Sequence, residues 1–231
     1  MKKAWYILNY HDINWELGPI NFGIGGTFSP DMFAEHLTYL CNEFEFVTID
    51  EGLNRTLNNN INSPMLSFWF DDGLVGVRKY GFDILESYNA KGAISINSNF
   101  LMRKEMFWRF KLSYISSTDG LKVLRSRLRK YGYSFKYNVK DFTLNNFSND
   151  ILNVINLTYK EYAPEYFRKD AFRIFDTIEG IKFLHENGWT IANHSAAHYP
   201  ITEQSGISQL SEEFKKCEKS IKENFNIDTP F

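Results

Sequence analysis

The sequence predicts an α/β fold built on a parallel sheet, and three observations predict it. Short apolar and aromatic runs recur along the chain: "AWYILNY" (4–10), "EFVTI" (45–49), "MLSFWF" (65–70), "AISI" (93–96) and "WTIAN" (189–193). These runs scarcely alternate between apolar and polar residues, as strands buried on both faces do. Segments with helical spacing separate them, so strand and helix alternate in the order that places helices outside a parallel sheet.

The elements follow in order. "AWYILNY" reads as the first strand, and the glycine-rich "GPINFGIGGTF" after it as a loop. Its spacing fits neither a dinucleotide fingerprint nor a phosphate-cradling loop. Ser29 and Pro30 then open a helix as N-cap and first helical residue, with Phe33, Leu37 and Leu40 on one face. "EFVTI" is the second strand, "DEGLNRTL" a short helix, the polar "NNNINSP" a loop, and "MLSFWF" the third strand. A helix over "VRKYGFDILESYNA" leads to the fourth, "AISI". From about 101 to 176 the rhythm changes to helices alone, which predicts a helical insertion, because a structureless loop of that length is unusual. Alternation resumes with the helix "TIEGIKFLHENG" and the strand "WTIAN", and a long amphipathic helix covers "ISQLSEEFKKCEKSIKENF".

Composition bounds the function classes. The chain has 231 residues, 43% hydrophobic and 23% charged, and suits a single domain with a sizeable core. A formal net charge of −2 argues against an electrostatic nucleic-acid binder. The cluster Lys122, Arg125, Arg127, Arg129 and Lys130 lies on one helix and reads as a solvated face. Cys41 and Cys217 form no CxxC pair and read as reduced core residues. Two lysines precede the first apolar run, but it breaks at Asn9 and His11, too early for a signal peptide. With no stretch long enough to span a membrane, the expected location is cytoplasmic.

Two motifs carry chemistry. "FDDG", residues 70–73, ends the third strand; read alone, Asp-Gly is a common turn. "NHSAAH" ends the last strand, with His194 and His198 four residues apart. Ser195 stands where a zincin has glutamate, so that metalloprotease pattern fails. Both motifs follow predicted strands, and in parallel sheets the carboxyl ends of strands converge on one face. One aspartate and two histidines form a three-ligand set open to water, suited to zinc or a similar divalent ion. The second aspartate is then free as general base for hydrolysis of an amide or ester.

"FDDG" and "HSAAH" together resemble the polysaccharide deacetylase family, also called NodB-homology or carbohydrate esterase family 4. "YILNYHDI", "FSPDMFAEHLTYLCNEFEFVTIDEGL" and "GFDILESYNAKGAISINSNF" agree, so the resemblance covers residues 4–100 and 177–228. It implies a partial, deformed (β/α) barrel with the helical insertion. It implies Asp71 as catalytic base and Asp72, His194 and His198 as ligands of a divalent metal, zinc above all. Ser195 would orient the site, and His11 would line the sugar pocket or be an uncommitted loop residue. The implied reaction is hydrolysis of an N-acetyl group from an amino-sugar glycan or its precursor. The alternatives are hydrolysis of another non-peptide C–N bond and a catalytically incomplete carbohydrate-binding protein.

The departures are specific. The family's arginine motif, Trp/Asp pair and late Leu-x-His general acid have no match, and the chain ends where the first of these is expected. An incomplete barrel with an open sheet edge and low stability or self-association is the expectation. Tyr199 replaces the proline that commonly follows the second histidine. His36 and His185 read as surface residues, and Trp108 as either a packing residue or a sugar platform.

Overall fold

Every pairing in the sheet is parallel, as the scarcely alternating runs predicted. The first run, Trp5–Tyr10, stands at the sheet's edge and is largely exposed, with only Tyr10 buried, where a buried strand was expected. A computed structural model describes residues 1–22, 24–136, 138–201 and 206–228; Gly23 of the glycine-rich loop and the last residues of "NIDTPF" lie outside them. The strands are β1 (Trp5–Tyr10), β2 (Asp12–Ile13), β3 (Thr27–Phe28), β4 (Glu45–Phe46), β5 (Met65–Phe70), β6 (Gly92–Ile96) and β7 (Thr190–Asn193). The main sheet runs β1-β5-β6-β7, with β4 also paired to β5, and β2 and β3 pair separately. Helices α1 (Pro30–Leu40), α2 (Ile49–Leu57) and α3 (Phe82–Ser87) connect the early strands. Between β6 and β7 run α4 (Ser98–Leu101), α5 (Trp108–Ser116), α6 (Gly120–Arg129), α7 (Val139–Asn145), α8 (Asn149–Tyr162), α9 (Glu165–Asp170) and α10 (Ile178–Glu186). The 19-residue α11 (Ile207–Phe225) follows β7.

Local chemistry accounts for the boundaries. Ser29 caps α1 by accepting from the Met32 backbone amide, and Pro30 occupies its first turn. The predicted second strand is shorter than its apolar run: only Glu45–Phe46 pairs, and Ile49 already belongs to α2. The Thr48 hydroxyl accepts from the Glu51 amide and caps that helix, so capping overrides the strand propensity of "VTI". The helix after β5 begins with a π-turn at Val77–Gly81. Gly76 precedes it because a Cβ there would lie 2.2 Å from Asp12 Oδ1 and 2.4 Å from the Ile13 carbonyl.

Two cores result. One lies against the sheet, where Phe68, Phe70, Ile94, Ile191 and Trp189 meet Phe33, Leu37 and Ile221. The second belongs to the helical stretch and joins Trp108, Leu112, Leu124, Ile151 and Ile155 to Phe175. Trp108 is 1% exposed, so it packs and offers no sugar platform. The stretch returns to the sheet beside "FDDG": Asp176 donates its amide to the Gly73 carbonyl, and its fully buried carboxylate pairs with Arg78 at 2.8 Å. Cys41, expected in the core, is exposed at the end of α1, whereas Cys217 is buried; both are free. On α6 the cations are not merely solvated, since Arg127 pairs with Glu161 and Arg125 donates to the Phe135 carbonyl. His36 accepts or donates a 2.9 Å hydrogen bond with the Tyr10 hydroxyl. Among the described residues no helix is long and apolar enough to cross a membrane.

Candidate metal centre

β5 ends where the Asp71 amide donates to the Tyr10 carbonyl, the last rung of its ladder with β1. The chain then turns sharply: Asp72 and Gly73 both have positive φ, 73° and 63°. "FDDG" is therefore a turn, and the turn aims Asp72 inward, leaving it 5% exposed.

β7 ends in a loop with its own scaffold. The His194 amide donates to the Ile96 carbonyl. The Asn97 side chain donates to the carbonyls of His194 and Ser195. The Ser195 amide bonds Asn193 Oδ1 at 2.9 Å, and the Ser195 hydroxyl accepts from the His198 amide at 3.1 Å. Glu213 of α11 accepts the Ala197 amide through its carboxylate. These bonds hold Ser195 and His198 at φ 68° and 54°, a region L-residues rarely occupy.

The two loops bring Asp72, His194 and His198 together, with one ligand atom of each within 4.8 Å of the others. Both imidazole Nε2 atoms lie 3.5 Å from Asp72 Oδ1. That oxygen is shielded from solvent and accepts no hydrogen bond among the described residues. Burial lowers the pKa of both histidines, and that of His198 falls to about 4. Two imidazoles whose charging burial disfavours and a carboxyl group thus share a small space. Ligands held about 2.1 Å from a tetrahedral zinc stand about 3.4 Å apart, so the spacing fits such an ion. An orphaned buried carboxylate oxygen facing two neutral imidazoles is the donor set a divalent cation takes.

Asp71 is held differently. Its carboxylate accepts from Asn9 Nδ2 at 2.7 Å, Trp69 Nε1 at 2.8 Å and the Ser95 hydroxyl at 2.6 Å. His194 Nδ1 stands 3.8 Å away. Burial alone would raise its pKa, but the pull of the nearby His194 imidazole and these three hydrogen bonds outweigh it and hold Asp71 below the usual carboxylate range. Burial does raise Asp72, against His194 and His11, which pull it down. Two adjacent carboxyls therefore have their affinities for protons pushed in opposite directions.

His11 stands after β1, close enough for its charge to be felt at Asp72, His194 and His198. Tyr199 donates its hydroxyl to Glu105. A cavity of about 310 Å³ opens beside the histidines, walled by Phe147, Tyr199, Leu210, Glu213 and Phe214. Sequence reasoning missed Asn9, Trp69, Ser95, Asn97, Glu213 and Arg109. Asn9 and Ser95 had left a signal, since each is a polar residue near the carboxyl end of an apolar run.

No family model matches the chain, and no curated protein does. Solved structures do. The chain is similar to the deacetylase PplD of Streptococcus pyogenes, solved with acetate, at 16% identity and a TM-score of 0.57, over 96% of this chain and 70% of that one. It is similar to IcaB of Ammonifex degensii at 15% identity and a TM-score of 0.58, over 98% and 71%. A de-N-acetylase of Aggregatibacter actinomycetemcomitans matches at 15% identity and a TM-score of 0.53, over 97% and 76%. At these identities the likeness is one of fold: this chain has the mixed α/β architecture, with a parallel sheet, of those structures.

Proposed function

We propose that the protein removes N-acetyl groups from an amino-sugar glycan or glycan precursor, using a divalent metal, with zinc the first to test. One observation carries the reading. An ionised, triply hydrogen-bonded Asp71 stands beside a converging Asp72, His194 and His198 at the carboxyl ends of parallel strands. The same fold in the deacetylases above agrees with it.

Asp72, His194 and His198 would hold the cation. When bound, it supplies a Lewis acid for the acetamide oxygen and acidifies the attacking water. Asp71 takes a proton from that water as its oxygen bonds to the acetamide carbon. Asn9, Trp69 and Ser95 fix the orientation of the Asp71 carboxylate and keep it ionised to receive that proton. The C–N bond then breaks and the amine leaves with a proton, releasing acetate. Asp71, protonated by the water in the first step, returns that proton to the amine. The cavity beside His194 and His198 is of a size to take one sugar ring.

The experiment is acetate release from N-acetylated oligosaccharides by the purified protein, with chelator and with zinc restored. Release that chelator stops and zinc restores is expected, and Asp71→Asn should abolish it. A zinc-loaded protein that releases no acetate from any N-acetylated glycan would overturn the reading.

A further inference from the structure

One charged group at the site has no work in that mechanism. Arg109 lies in the first turn of α5, half-buried, with its guanidinium carbon 5.8 Å from the Phe107 ring centre and 5.9 Å from that of Trp108. The Phe107 ring in turn lies 4.8 Å from the His198 ring. Trp108 packs on Phe147, a wall of the cavity beside the histidines, at 5.4 Å. Arg109 therefore stands one aromatic ring behind His198 and one behind the cavity wall at Phe147. Its charge is felt at Asp72 and at His198.

The guanidinium is not spent on the protein. Among the described residues no carboxylate forms an ion pair with Arg109, and its Nε is shielded from solvent without a hydrogen-bond acceptor. A buried donor left unpaired on a cation is costly, so natural proteins supply it with a partner. The Phe107 and Trp108 rings lie near the guanidinium without using its N–H groups. Asp72 cannot be the lasting partner if it holds a cation.

We infer that Arg109 receives an anionic substituent of the glycan, a carboxylate or a phosphate carried close to the acetamide. Guanidinium donors match both oxyanions, often through two parallel hydrogen bonds. The inference rests on the deacetylase reading for the identity of the substrate. It also gives α5 a task that a neutral glycan does not require: selecting substrates that carry negative charge.

The test is isothermal titration of zinc-loaded and of metal-free protein with three sugars. N-acetylglucosamine is neutral, N-acetylmuramic acid carries a carboxylate at the neighbouring oxygen, and N-acetylglucosamine 1-phosphate carries a phosphate. The wild type should bind at least one anionic sugar roughly ten- to hundred-fold more tightly than the neutral one, the range of one or two charge-assisted hydrogen bonds. The preferred anion identifies its source. The preference should persist without metal, so that zinc is not its cause. Arg109→Gln should lose it and bind the neutral sugar unchanged, and Arg109→Lys should keep part of it. No preference in the wild type, or the same preference in Arg109→Gln, would overturn the inference. So would an equal loss for neutral and anionic sugars in a folded Arg109→Gln variant, which would make Arg109 structural. Anion preference without acetate release from any glycan would sink the deacetylase reading and leave the anion site standing.

Discussion

Asp72→Asn separates a metal ligand from a buried structural carboxylate, because the two roles predict opposite results. Both 3.5 Å separations in the ligand group run to Asp72 Oδ1, so this oxygen is its common vertex. In the wild type, zinc at a hundred times its dissociation constant stabilises the folded state by about 2.7 kcal/mol. For a chain of this size that raises the melting midpoint by about 5–10 °C. The variant keeps two neutral imidazoles and loses the only charge. If affinity falls a hundredfold, the same zinc concentration gives about 0.4 kcal/mol, a shift of about 1–2 °C. Without metal, the variant should melt no lower than the wild type, since the amide has the same shape and removes a buried charge that accepts no hydrogen bond. Differential scanning calorimetry with and without zinc measures all four states. A variant that gains as much from zinc as the wild type would remove Asp72 from the site. A metal-free variant that melts far lower would make Asp72 a structural residue.

Other perturbations read other parts of the site. Asp71→Asn should lower the rate of deacetylation at least a hundredfold while zinc content, measured by elemental analysis, stays at the wild-type value. Ser95→Ala removes the 2.6 Å bond that favours ionised Asp71; at about 1.5 kcal/mol for such a bond, the acid limb of the kcat/KM pH profile should move up by about one pH unit. His198 is buried neutral, with its pKa depressed to about 4, so it binds fewer protons folded than unfolded between about 4 and its ordinary 6.5. Folding stability should therefore fall as pH drops through that window. Metal-free Asp72→Asn should lose about 2 kcal/mol between pH 7 and pH 5, read from urea midpoints, and a flat profile would contradict the burial argument. Gly76→Ala drives a methyl group onto Asp12 and the Ile13 carbonyl and should cost at least about 1–3 kcal/mol in the same assay.

The sheet was legible because burial on both faces leaves a direct trace in composition: β5 and β6 are apolar almost throughout. The alternation of strand and helix along the chain was legible because parallel strands must be separated by crossovers; the order of the strands across the sheet was not read from it. The second strand was misjudged in length, since "VTI" suits a strand but Thr48 suits a cap better, and the cap prevailed. At the site, Asp71, Asp72, His194 and His198 could be found because each follows a strand. Asn97, Glu213 and Arg109 could not. They reach the site from a helix start, from α11 and from α5, and only tertiary packing brings such positions together. The ligand group among the described residues is Asp72, His194 and His198, and each of the three had been named from the sequence.

Backbone strain marks the same place. Apart from three asparagines, the non-glycine residues with positive φ among those described are Asp72, Arg103, Ser195 and His198. Asparagine tolerates this conformation and ends helices with it, as Asn226 does after α11. Aspartate and histidine share some of that tolerance, whereas serine is disfavoured there by on the order of 1–2 kcal/mol. Three such residues therefore sit within one loop pair, and each belongs to or braces the ligand group. The bonds from Asn97, Asn193 and Glu213 hold the histidine loop in this conformation before any ligand arrives. A turn needed only to end β5 could have placed a second glycine at position 72. An aspartate there, buried and with Oδ1 facing two imidazoles, is what the proposed role of "FDDG" as a carboxylate donor requires.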